Sequence, residues 1–159
     1  MTNRIRKRII AVSALAVVAI IASIAYSHCQ IPCGIYDDEG RFDAISEHIK
    51  TIEKSMKEIE RLSAEAKPNM NQIVRWVNNK ELHANEISEI VTYYFMAQRV
   101  KLPVDGDAKA YDDYINKLTR LHRMLVYAMK AKQTTDLANV QELRSLLDKF
   151  HKIYSGKAG

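Results

Sequence analysis

The sequence predicts an all-α protein, an antiparallel up-down four-helix bundle, and three observations carry that reading. Apolar residues recur at helical spacing in four separate stretches, and no segment sustains period-2 alternation. Short connections join the stretches, which favours antiparallel neighbours. Glycine and proline number only five and three in 159 residues, which argues against a turn-rich β-sandwich or barrel. A (β/α)₈ barrel needs roughly 250 residues and is excluded. The glycines, at 34, 40, 106, 156 and 159, cannot form a GxGxxG or P-loop fingerprint.

The first stripe is Phe42, Ile45, Ile49, Ile52, Met56 and Ile59. Asp37 and Asp38 can cap its start and Pro68 stops it. Glu53 with Lys57, and Lys54 with Glu58, stand one turn apart as surface ion pairs. The second stripe is Ile73, Trp76, Val77, then Ile87, Ile90, Val91, Tyr94 and Phe95, ending before the turn cluster Leu102-Pro103-Val104-Asp105-Gly106. The third is Tyr111, Tyr114, Ile115, Leu118, Leu121, Leu125 and Ala128. The fourth is Leu137, Val140, Leu143, Leu146, Leu147, Phe150 and Ile153, with Thr135 or Asp136 as its cap. Each helix should span roughly 20–28 residues, about 30–40 Å. Trp76 and the methionines lie on stripes and read as core. His48, His83, His122 and His151 fall on four different helices. A di-iron bundle needs two Glu-x-x-His motifs and this chain has none, so these histidines read as surface or partly buried helical residues.

Ahead of the bundle lie two further segments. Residues 1–27 read as a signal peptide or leader: the basic tract Arg4-Ile5-Arg6-Lys7-Arg8, then residues 9–26 without a charge, then Ala25 and Ser27 spaced as signal peptidase requires. Cleavage after Ser27 would leave His28 as the first residue. The alternative is a retained membrane anchor, since residues 9–26 reach the lower limit for a span of about 20. Either way the body is expected to be exported. Cys29 follows a histidine rather than a small residue, so a lipoprotein is not expected. The leader also explains the net charge of +5: past residue 27 there are 20 Lys and Arg against 19 Asp and Glu. A nearly neutral body carries no electrostatic footprint for nucleic acid.

Between leader and bundle stands His28-Cys29-Gln30-Ile31-Pro32-Cys33-Gly34-Ile35-Tyr36, which holds both cysteines. Three readings are open: a small disulfide loop, a redox dithiol and a metal hook. Export favours cysteine pairing, but a bridge from Cys29 to Cys33 closes a very short loop and stabilises little. The spacing is CxxxC, not the CxxC of redox dithiols. The metal reading gains from the cleavage. A freed His28 supplies an α-amine, and with the Cys29 amide and the sulfurs of Cys29 and Cys33 it makes an N₂S₂ set. Planar strong-field donors suit Ni(II) or Cu(II) rather than tetrahedral zinc, and the His28 imidazole can add an axial donor.

The pattern H-C-x-x-P-C-G-x-Y at a mature N-terminus, followed by a four-helix body, resembles nickel-containing superoxide dismutase. His28, Cys29, Pro32, Cys33, Gly34 and Tyr36 match, Asp37 fits, and weaker similarity runs through residues 51–56 and 92–95. The resemblance implies one nickel ion per subunit, a homohexamer of bundles and dismutation of superoxide to oxygen and hydrogen peroxide. It implies His28, Cys29 and Cys33 as metal ligands and Tyr36 as a gate or proton-network residue; Tyr94 is a second tyrosine open to either packing or that network. In the family a glutamate on the first helix and an arginine on the second orient the imidazole. Here Asp43 or Glu47 could stand for the acid and Lys80 or Arg75 for the base. Two features depart from the family. Gln30 stands where some members have aspartate, and the leader resembles a secretion signal rather than a short cytoplasmic propeptide. The expected organisation is therefore a leader at 1–27, a nickel hook at 28–36 and a four-helix domain at 37–159. The rival is a non-enzymatic bundle anchored by residues 9–26, whose Cys29 and Cys33 form an incidental disulfide.

Overall fold

The computed structural model describes residues 36–156. The expected leader and the hook residues His28, Cys29 and Cys33 lie outside the described residues. The chain divides into two compact units, Met1–Tyr36 and Asp37–Gly159. Of the first only Tyr36 is described, and it is exposed. The second is the bundle.

Its elements are α1 (Asp38–Ser63), α2 (Met70–Glu89) running on into a π-helical segment (Ile90–Arg99), α3 (Ala108–Gln133) and α4 (Leu137–Tyr154). No strand occurs among the described residues. α1 packs on α2, α2 on α3, α3 on α4, and α4 back on α1, which closes the expected up-down ring.

Each helix starts where a short polar side chain accepts from an orphan backbone N–H. Asp37 accepts from Gly40, Asn69 from Gln72, Asp107 from Ala110 and Asp136 from Ala138. Two expected caps therefore resolve: Asp37 caps α1 and Asp136 caps α4. Asp38 is freed for a different task, described below. α1 ends at Ser63, ahead of Pro68. The turn before α3 uses Gly106 at φ 91°, a left-handed conformation that glycine adopts without strain.

The core is built from the predicted stripes. Ile45, Ile49, Ile52 and Met56 of α1 face Ile87, Val91 and Phe95, and Val140, Leu143, Leu146 and Phe150 line α4. Burying each such side chain contributes about 1.5–3 kcal/mol. Four expectations change. Trp76 is only half-buried, beneath Lys54 with Nζ 5.7 Å from its ring centroid. That position takes Lys54 from the expected pair with Glu58, which bonds Arg61 instead. Met56 and Met124 are core, but Met70 and Met129 are more than 60% exposed. In α3 the buried face is Leu121, Met124, Ala128 and Ala131, while Tyr111 and Ile115 lie open to solvent. The first turns of α3 thus carry apolar side chains that the other described helices leave open.

Lys80 is buried and donates to the carbonyl oxygens of Lys132 at 2.6 Å and Thr134 at 3.0 Å. A cation is thereby placed on the electron-rich C-terminal end of α3. Burial pushes its ammonium below the usual lysine value.

Candidate metal centre

At one end of the bundle, α1 begins, the π segment ends and α4 ends. The sequence there is Tyr36-Asp37-Asp38, and Asp38 is the centre of a hydrogen-bond cluster. Its Oδ1 accepts from Tyr94 Oη at 2.6 Å and from Arg99 Nε at 2.9 Å. Its Oδ2 accepts from Arg99 Nη2 at 2.6 Å and from Tyr154 Oη at 2.9 Å. Arg99 Nε also reaches Tyr154 Oη at 3.0 Å. The guanidinium grips the carboxylate with two donors, the strong fork geometry. Burial works to raise the Asp38 carboxyl, but the bonds from Arg99, Tyr94 and Tyr154 outweigh it and hold it below the usual carboxylate value. Burial and the bond to Asp38 push the Tyr94 and Tyr154 phenols up, so both remain protonated donors at neutral pH. Arg99 is held more firmly protonated, chiefly by its bond to Asp38.

The π-helix makes this cluster possible. Val100 N donates to Phe95 O at 2.8 Å, a bond spanning five residues. Tyr94 and Arg99 are themselves five apart. In an α-helix of about 3.6 residues per turn they would point about 140° away from each other. Widening the turn by one residue brings both towards one carboxylate, and π turns often occur at functional sites. Aromatic packing supports the cluster: Phe42, Phe95 and Phe150 stand 4.9–5.7 Å apart by centroid, and Tyr154 lies 5.5 Å from Phe150. His151 stacks on Phe42 at 4.2 Å and its Nε2 lies 3.0 Å from Glu39 Oε1.

The four residues considered for orienting the imidazole are not brought together. Lys80 caps α3, while Asp43, Glu47 and Arg75 are exposed. In the sequence Asp38 offers itself only as a cap, and Arg99 carries no visible role. The available signal was a second aspartate where one suffices, and an arginine closing an aromatic run.

The other histidines are surface or half-buried, as expected. Two of them meet: His48 Nδ1 and His83 Nδ1 lie 2.8 Å apart across α1 and α2, so one ring donates to the other. Burial, and then the neighbouring His83 charge, lower the His48 pKa, against the opposing pull of Glu86 and Glu47. A base with a depressed folded pKa binds fewer protons folded than unfolded, so its contribution is complete above about pH 6.5 and is lost as pH falls. The melting temperature is expected to drop between pH 7 and pH 5, and His48→Gln to flatten that drop. An equally steep fall in the variant would assign it to other groups.

Among the described residues, no group of three or more His, Cys, Asp and Glu side chains is placed to hold a metal ion. Both cysteines, Cys29 and Cys33, stand in the segment that begins with His28. Two soft thiolates joined with nitrogen donors fit nickel chemically and fit calcium, magnesium or manganese poorly. No helix among the described residues is long and apolar enough to cross a membrane.

No curated protein and no solved structure matches the chain. A family model described as nickel-containing superoxide dismutase matches residues 22–157, a span that takes in His28, Cys29, Cys33, Tyr36 and all four helices. On that match, over most of its length and with a helical bundle of the expected form, the chain belongs to the nickel-containing superoxide dismutase family.

Proposed function

We propose that His28, Cys29 and Cys33 hold the nickel ion of this chain and that Tyr36 serves the approach of superoxide and protons to it. The activity follows from the family: the chain is an oxidoreductase with a nickel cofactor in each subunit and superoxide as its substrate. Two superoxide ions and two protons become one oxygen and one hydrogen peroxide. When bound, nickel would supply a one-electron couple between its +2 and +3 states, enough to oxidise one superoxide and reduce another. The observation that carries the residue assignment is the donor set itself, the chain's two thiols and a histidine within six consecutive residues.

Each residue contributes a distinct group. Cys29 and Cys33 offer thiolates, whose negative charge favours the higher oxidation state of a bound ion. The Cys29 backbone nitrogen and the His28 amine complete the nitrogen donors, and the His28 imidazole adds one more. Pro32 fixes one φ in the turn and Gly34 frees another. The Tyr36 hydroxyl can donate to an incoming anion and pass on a proton.

His28→Ala separates the two donors of that residue. The variant is expected to keep nickel, since its amine survives, and to lose turnover with the imidazole. Unchanged dismutation by the His28→Ala protein would remove the imidazole from the reaction.

We further infer an exported protein, processed between Ser27 and His28. The basic tract, the uncharged residues 9–26 and the small residues Ala25 and Ser27 support it. Superoxide crosses membranes poorly, so an exported enzyme acts where the substrate is trapped. Assembly into a homo-oligomer, a hexamer by resemblance, is supported by the uncovered apolar face. Leu102 and Val104 are over 80% exposed, and Tyr111 and Ile115 at the start of α3 are exposed as well.

A further inference from the structure

We infer that Asp38, gripped by Arg99, Tyr94 and Tyr154, is a positioning residue for the nickel ligands: it holds the first turn of α1, the helix that follows residues 28–36 in the chain. The inference rests on the assignment of His28, Cys29 and Cys33 as ligands.

Helix formation does not require this clamp. Asp37 already caps α1 by accepting from Gly40 N at 2.9 Å. The next residue spends a partly buried carboxylate on partners 56, 61 and 116 positions away in sequence. Taking a carboxylate out of water is costly unless its oxygens are bonded, and here both are bonded twice. The bonds tie the first turn of α1 to the π segment and to the last turn of α4. A helix start held only by its cap frays easily. One held to two other elements does not, and Cys33 precedes it by only five residues. The departure of the π segment from α-helical register serves the same end, since it turns both Tyr94 and Arg99 towards Asp38. Metal ligands depend on supports beyond themselves: losing a group that bonds a ligand directly commonly costs about 10–100-fold in metal affinity, and a support one step removed acts through the same geometry at the low end of that range.

The test compares full-length, processed, nickel-loaded wild type with Asp38→Asn, Arg99→Lys and Tyr154→Phe. The readouts are nickel per chain, the rate of nickel release to a chelator, the thiolate-to-nickel absorption bands, and helical circular dichroism. Asp38→Asn is expected to keep its helical signal, to release nickel at least about tenfold faster and to shift the absorption bands. Arg99→Lys keeps the charge but loses the fork, and it should fall between the two. Tyr154→Phe removes one donor only and carries the test with Arg99→Lys if Asp38→Asn fails to fold. Wild-type release rates and bands in variants whose melting temperature alone has fallen would overturn the inference and leave the cluster a stability device. A wild-type chain that takes up no nickel would instead defeat the ligand assignment, and this inference with it.

Discussion

Cys29→Ser and Cys33→Ser are each expected to leave the bundle folded and to remove nickel and dismutation together. An alcohol is a poor soft donor and stays protonated at neutral pH, so each variant loses a thiolate that serine cannot replace. The expected loss of nickel affinity is at least about 100-fold, since losing a ligand costs more than losing a supporting residue. The bundle should not notice. Among the described residues its core begins at Phe42 and its first cap is Asp37. Metal analysis and circular dichroism on the same sample read both halves. Either serine variant with a full complement of nickel and full activity would show that the sulfurs are not the ligands.

The second large effect concerns processing. The His28 nitrogen is an amine only once the bond to Ser27 is cut; in the precursor it is an amide and a far weaker donor. The precursor is therefore expected to be inactive and cleavage after Ser27 to switch it on. A large residue in place of Ser27, or Val17→Arg in the middle of the apolar run, should block cleavage while leaving the helices intact. A blocked precursor with full dismutase activity would detach the amine from the chemistry.

How far the sequence could be read depended on how local each feature is. The proposed hook can be read from the chain alone because its candidate donors are neighbours in sequence, and their chemistry does not wait for a fold. The stripes of α1 and α4 are legible because each pairs one buried face with a constant period. In α3 the same rule overreaches at its first turns. Tyr111 and Ile115 continue the period, but the partner helices do not cover them, and Met124 and Ala131 fill the buried face further along. Periodicity says which residues share a face and not what that face meets. The Asp38 cluster was hidden for a different reason. Tyr94 sits at an α-helical spacing from its neighbours, so nothing in the pattern announces the wider π turn that aligns it with Arg99. The partners of Asp38 come from the π segment and the end of α4, and only the closed ring of helices brings them to one carboxylate. Lys80 illustrates the same limit. As a lysine it reads as surface or as a base near the metal, while its actual partners are carbonyl oxygens at the end of another helix.

Cleavage and metal binding are joined at His28, and native mass spectrometry of the purified, active protein reads both at once. The expected result is a chain that begins at His28 and carries one nickel ion per subunit. An active protein that begins at any other residue, or one that carries no nickel, would overturn this mechanism.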